Sequence, residues 1–121
     1  MELSYYERIG NSNIQQLIAC FYEEIKRDEV LFPMYAGDLD AAEKRLYMFM
    51  VQYLGGPAVY SERRGHPRLR IRHMPFLINE NAKQHWLKCM SVAMEKVTMD
   101  DESRRFLWNY FTTTADFLKN R

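Results

Sequence analysis

With 121 residues, 47% of them apolar and 27% charged, the chain has the size and composition of one globular domain with a real core. Seventeen Lys and Arg against sixteen Asp and Glu leave a net charge of +1, which excludes a global field for nucleic acid or an anionic membrane surface. The unusual feature is the supply of large polarizable side chains: eight Tyr, seven Phe, two Trp and eight Met, enough to fill a core or to wall in a flat apolar ligand.

The chain reads at helical period almost throughout. The opening MELSYYERIG has neither a basic region nor an apolar run, so no cleaved signal peptide is expected. A short helix is predicted around Leu3 to Ile9, broken by Gly10-Asn11. Ser12 and Gln15 then fit a capping box at the start of the next helix, whose Ile14, Leu17, Ile18, Phe21 and Ile25 make an apolar stripe. VLFPMY is a tight connector around Pro33. A third helix is predicted to begin near Asp40, with Asp40 and Glu43 repeating the capping pattern; Ala42, Leu46, Phe49, Met50 and Tyr53 share a face, and Gly55-Gly56-Pro57 ends it. Leu46 to Ser61 carries no charge, but Gln52 and the Gly-Gly-Pro interrupt it too early for a membrane span.

From Gly55 to about Arg68 the sequence predicts a long irregular stretch, a length of loop that is usually functional or disordered. Two helices finish the chain, over about Asn81 to Val97 and Asp101 to Lys119. Their predicted apolar faces are Trp86, Met90, Ala93, Met94 and Val97, and Phe106, Leu107, Tyr110, Phe111, Thr114, Phe117 and Leu118. No alternating strand pattern competes, so the expectation is a single all-α domain over residues 1–121. Cys20 and Cys89, far apart and without a CxxC, are expected to be reduced buried thiols in a cytoplasmic protein.

The stretch RIRHMPF holds the sharpest chemical signal. Pro75 disfavours helix at Met74, so a helix through Arg70-Ile71-Arg72 should end at about His73. Arg63, Arg64, Arg68, Arg70 and Arg72 cluster nearby; such a cluster is ordinarily a solvated face or a phosphate contact. No HxxxH, HxxE or cysteine pair accompanies any of the three histidines, which excludes an ordinary zinc site. A metal here has to bring most of its own ligands, as haem iron does, together with carboxylates that arginines can meet and a flat face that aromatics and Met can cover. His66 lies between Gly65 and Pro67, which position a ring poorly. His85 precedes Trp86, and neighbouring helical residues point about 100° apart, so a Trp86 turned inward leaves His85 outward or sideways. His73 is the candidate ligand.

The run YLGGPAVYSERRGHPRLRIRHMPF, with FYEEI, DEVLFPMY and HWLKCM, resembles the group II truncated haemoglobins over essentially the whole chain. The resemblance implies a truncated globin, two antiparallel helix pairs packed over each other around haem b. It implies His73 as proximal iron ligand through Nε2, and Tyr22, Tyr35 and Trp86 as ligand-stabilising donors on the distal side. Arg45, Tyr60 and Arg72 match positions at the haem edge and propionates, where Trp86 also meets the haem. Ala42 and Leu46, with Phe49, match the lining of the distal pocket, where the apolar Ala42 and Leu46 leave hydrogen bonding to the aromatic donors. The activity implied is binding of O2 and other diatomic ligands such as NO and CO. Turnover as a nitric oxide dioxygenase or on peroxide would need an external reductase, because the chain has no dinucleotide-binding glycine motif. The alternative is a gas or redox sensor acting through a partner. No nucleic acid or membrane partner is expected, and the chain is expected as a monomer or homodimer.

Overall fold

The computed structural model describes residues 2–35, 37–65, 73 and 78–120, and among them every regular element is helical. Helix α1 (Tyr5–Ile9) starts at a reciprocal cap: Glu7 N–H donates to Ser4 Oγ, and Ser4 N–H to Glu7 Oε1, both at 3.1 Å. Gly10 then takes a φ of +91°, which L side chains rarely adopt, and serves as C-cap of α1 and N-cap of α2 (Asn11–Lys26). The capping box expected at Ser12 and Gln15 is therefore absent; Ser12 already lies inside α2, and the box sits one helix earlier. The stripe of α2 is buried as predicted, with Phe21 and Ile25 fully excluded from solvent.

The VLFPMY connector contains a single 3₁₀ turn, Phe32–Tyr35. Helix α3 (Leu39–Tyr53) is capped by Asp38, which accepts from Ala41 N–H, and not by Asp40, which falls in the first turn where its charge favours the helix N-terminus. The long irregular stretch expected after Gly55 is shorter than its sequence implied, because Val59–Arg64 forms helix α4. Gln52 clamps it to the end of α3, donating to Ser61 Oγ at 2.8 Å and accepting from Ser61 N–H at 2.9 Å. The turn between them needs Gly56, since a Cβ there would lie 2.8 Å from the Tyr6 ring and 2.9 Å from Val51 Cγ1. Arg68, Arg70 and Arg72, and the helix expected through them, lie outside the described residues; His73 itself has helical conformation. Helices α5 (Glu80–Glu95) and α6 (Asp101–Leu118) are capped by Asn79 and Asp100, which accept from Ala82 and Ser103 N–H, each at 2.8 Å.

Packing follows from the stripes. Helix α2 lies against both α3 and α5, α5 against α6, and α1 bridges α2 and α6, giving two antiparallel pairs, α2/α3 and α5/α6, one over the other. Arg104 of α6 satisfies carbonyls at the C-terminal end of α5, donating to Met94 O at 2.7 Å and Val97 O at 2.9 Å. Ile78 and Asn120 join the other ends of the same pair: Asn120 N–H donates to Ile78 O at 2.8 Å, and Ile78 N–H to Asn120 Oδ1 at 3.0 Å. Phe117, expected on the apolar face of α6, is 52% exposed, whereas Leu107 and Phe111 are buried. Among the described residues no helix is long and apolar enough to cross a membrane.

The cap assignments are separable by mutation. Ser4→Ala should cost ~1 kcal/mol of unfolding free energy. Ser12→Ala, on an exposed side chain inside α2, should stay within about 0.5 kcal/mol of the parent in the same denaturant titration.

Candidate functional site

The two helix pairs enclose a cavity of about 560 Å³. Helix α3 supplies one wall with Ala42, Arg45, Leu46, Phe49 and Met50, which recur at three- and four-residue spacing and so share a face. Tyr22 at the end of α2, Leu31, Met34 and Tyr35 of the connector, and Ala82, Lys83 and Trp86 of α5 form a second wall. Tyr60 of α4 and His73 face the same space. Every predicted site residue among those described thus lines one cavity: Tyr22, Tyr35, Ala42, Arg45, Leu46, Phe49, Tyr60, His73 and Trp86. Arg72 lies outside the described residues. The reading missed the floor contributed by α6, where Tyr110, Phe111, Thr114, Ala115 and Leu118 close the cavity. The sequence signals this floor only through the apolar stripe of α6, to which Tyr110, Phe111, Thr114 and Leu118 belong.

Three of the cavity's polar side chains, Tyr22, Tyr35 and Trp86, form one cluster, with Arg45, Tyr60, His73, Lys83, Tyr110 and Thr114 elsewhere on its walls. Tyr22 and Tyr35 meet edge to face, ring centroids 5.7 Å apart. Burial pushes the Tyr35 hydroxyl up to about 12, opposed by hydrogen bonds from Tyr22 and Trp86. Tyr22 is raised too, first by burial, then by the charge Tyr35 would carry and by their hydrogen bond. Trp86, whose indole can only donate, hydrogen-bonds the Tyr35 oxygen. Arg45 lowers both tyrosines through its charge and forms no ion pair with another described residue.

His85 does not line the cavity. Its Nδ1 lies 2.8 Å from Asp28 Oδ2, so the orientation expected from its place beside Trp86 is the one found. Cys20 and Cys89 are free, as expected; Cys89 is buried, and its S–H donates at 3.8 Å to the same Asp28 oxygen.

Among the described residues no group of three or more His, Cys, Asp or Glu could hold a metal ion. What the described residues offer the cavity is the His73 imidazole, walls of aromatic, Met and aliphatic groups, Lys83 of α5, and a guanidinium on α3 that pairs with no carboxylate among them. That donor set fits a flat group carrying its own metal and its own carboxylates. The profile of the bacterial-like globin family matches residues 4–120. A group 2 truncated haemoglobin of Bacillus subtilis is 40% identical over 96% of this chain and 88% of its own length. The chain belongs to the group II truncated haemoglobins, within the bacterial-like globins. Its fold overlays the crystal structure of a haemoglobin from Chloroflexus aurantiacus with a TM-score of 0.96, at 36% identity, covering 99% of this chain and 100% of that one. The structure of a truncated oxygen-avid haemoglobin from Bacillus subtilis overlays at 0.93 and 39% identity, covering 98% and 100%. Globins are a haem-binding family, and the histidine, the aromatic donors and the apolar α3 face of this globin all converge on one cavity.

Burial pushes the Cys89 thiol up to about 12, with the neighbouring Asp28 charge adding to the effect, so it stays protonated near neutrality. In a thiol titration with an aromatic disulfide at pH 8, Cys89 of the folded chain should react only after denaturant is added.

Proposed function

We propose that this globin is a single domain over residues 1–121 that binds haem b, with His73 as iron ligand, and retains O2 through Tyr35. Haem supplies a ferrous iron that takes up O2 and other diatomic ligands such as NO and CO. Arg45 and Tyr60, which line the cavity, would hold the propionate edge, and the resemblance assigns Arg72 to the same role. The reading rests above all on the placement of the Tyr22–Tyr35–Trp86 cluster in the same cavity as His73.

The chain's own chemistry at this site is hydrogen-bond donation without proton loss. The raised values of Tyr22 and Tyr35 keep both protonated at neutral pH, so the Tyr35 O–H is available to a partly anionic ligand. The Trp86 indole, which can only donate, and the neighbouring Tyr22 hydroxyl limit the directions that hydroxyl can take. Ala42, Leu46 and Phe49 present no competing donor and keep water from the ligand side. The Bacillus subtilis protein described as oxygen-avid has the same fold at 39% identity, in keeping with a slow O2 release here. A ligand that leaves slowly suits reaction with nitric oxide, or peroxide turnover, better than delivery, and either reaction draws electrons from an external reductase.

Absorption spectra of the purified chain, reduced and reduced under CO, test the first half of this reading; a chain that stays colourless with added hemin overturns it. His73→Ala should abolish the histidine-ligated spectrum and release haem to an apoglobin acceptor. Tyr35→Phe should speed O2 dissociation roughly tenfold, the equivalent of one hydrogen bond of ~1–2 kcal/mol. An unchanged rate in Tyr35→Phe, with a faster one in Trp86→Phe, would assign the ligand bond to the indole instead.

A further inference from the structure

Asp28 uses both carboxylate oxygens, and the two reach different parts of the fold. Oδ1 accepts from Val30 N–H at 3.0 Å and Leu31 N–H at 2.9 Å, fixing the turn by which the chain leaves α2 and enters the 3₁₀ turn that carries Tyr35. Oδ2 lies 2.8 Å from His85 Nδ1 and accepts from Cys89 S–H, two residues one helical turn apart on α5. The Asp28 side chain is 12% exposed and that of His85 34%, so the connection is half-buried. His85 is followed directly by Trp86. The connector and α5 are therefore tied together twice: on the cavity side by the Trp86 indole and the Tyr35 oxygen, and on the outer side by His85 and Asp28.

We infer that Asp28 and His85 are positioning residues, which set the separation of Tyr35 from Trp86 and so the direction of the Tyr35 O–H in the cavity. Neither side chain lines the cavity, so neither meets a ligand there. They act through the backbone: Asp28 through the N–H groups of Val30 and Leu31, His85 through the helical residue it shares a peptide bond with. The two ties span the same pair of elements, so loosening the outer one leaves the indole–hydroxyl contact to hold the spacing alone. The inference deepens the O2-binding reading and rests on it for its consequence in ligand release.

His85→Leu removes the ring nitrogen while keeping an apolar body, and His85→Asn restores a donor close to the position of Nδ1. The first readout is the indole N–H resonance of Trp86 in the full-length protein, identified by its loss in Trp86→Phe, since the chain has only two tryptophans. His85→Leu should move that resonance and speed O2 dissociation roughly three- to tenfold, and His85→Asn should bring both back to within about twofold of the parent. Asp28→Asn keeps an oxygen for the two backbone N–H groups and removes the charge; it should move the resonance in the same direction, and it decides the matter should His85→Leu not fold. A resonance unmoved in every variant that folds overturns the inference, whatever happens to melting temperature. If instead the resonance moves while Tyr35→Phe and Trp86→Phe leave O2 release unaltered, the positioning role stands and the ligand-stabilising role assigned to the aromatic cluster falls.

Discussion

The architecture turns on the contact of Phe21 with Trp86, where α2 crosses α5. The Phe21 ring is fully buried and meets the indole edge to face, with centroids 4.9 Å apart, and it meets Tyr22 in the same manner at 5.0 Å. Consecutive residues of a helix point about 100° apart, so a Phe21 locked into the core aims Tyr22 away from it, toward the cavity. The indole is held from its other side by Phe111 at 5.6 Å. A donor clamped by two aromatic contacts, each worth ~0.5–1.5 kcal/mol beyond its buried area, meets its acceptor at little further cost in entropy. The packing core and the polar cluster are in this sense one construction, with the apolar half of each aromatic ring in the former and its O–H or N–H in the latter.

One core cluster joins residues of α1, α2, α3, α5 and α6, with the cavity of about 560 Å³ beside it. The fully buried side chains gather at helix crossings, with Leu17, Ile18 and Ile25 on α2, Met90 on α5 and Leu107 on α6. Half-buried Leu46, Phe49 and Trp86 line the cavity. Those walls are paired by complementary chemistry: α3 is mainly apolar with a single guanidinium, and the wall built from α2, the connector and α5 carries the three donors. Donors also reach the cavity from Tyr60 of α4 and from Tyr110 and Thr114 of α6, so a ligand meets a few fixed polar groups on a lining that is otherwise mainly apolar.

What could be read from the sequence was whatever repeats. The stripes of α2, α5 and α6 identify their helices because burial demands the same face every three or four residues. The site residues were legible through the length of the stretch around His73 and its likeness to a known family, and through the bonding needs of Tyr and Trp. Single-residue features were not legible. Ser12 and Gln15 satisfy the capping pattern as well as Ser4 and Glu7 do; the choice fell to Gly10, whose φ of +91° ends one helix and starts the next within a single residue. Asp38 and Asp40 are likewise equivalent as letters, and the turn geometry selects the earlier one. Helix α4 was hidden because Gly55, Gly56 and Pro57 read as loop, while the Gln52–Ser61 clamp that supports it joins residues nine apart. The cavity floor on α6 was hidden for a different reason: Tyr110 and Thr114 look like core until the space beside them is known.

The bridge between Ile78 and Asn120 has a consequence for how the molecule comes apart. Chain ends usually fray first, one turn at a time and independently of one another. Here two hydrogen bonds close residues 78 to 120 into a ring containing both α5 and α6, so the last turn of α6 cannot loosen without releasing the chain just before α5. Amide exchange at the two places becomes a single cooperative event rather than two. Because Ile78 also lines the cavity, the opening of that clasp and the loosening of the cavity wall share one free energy.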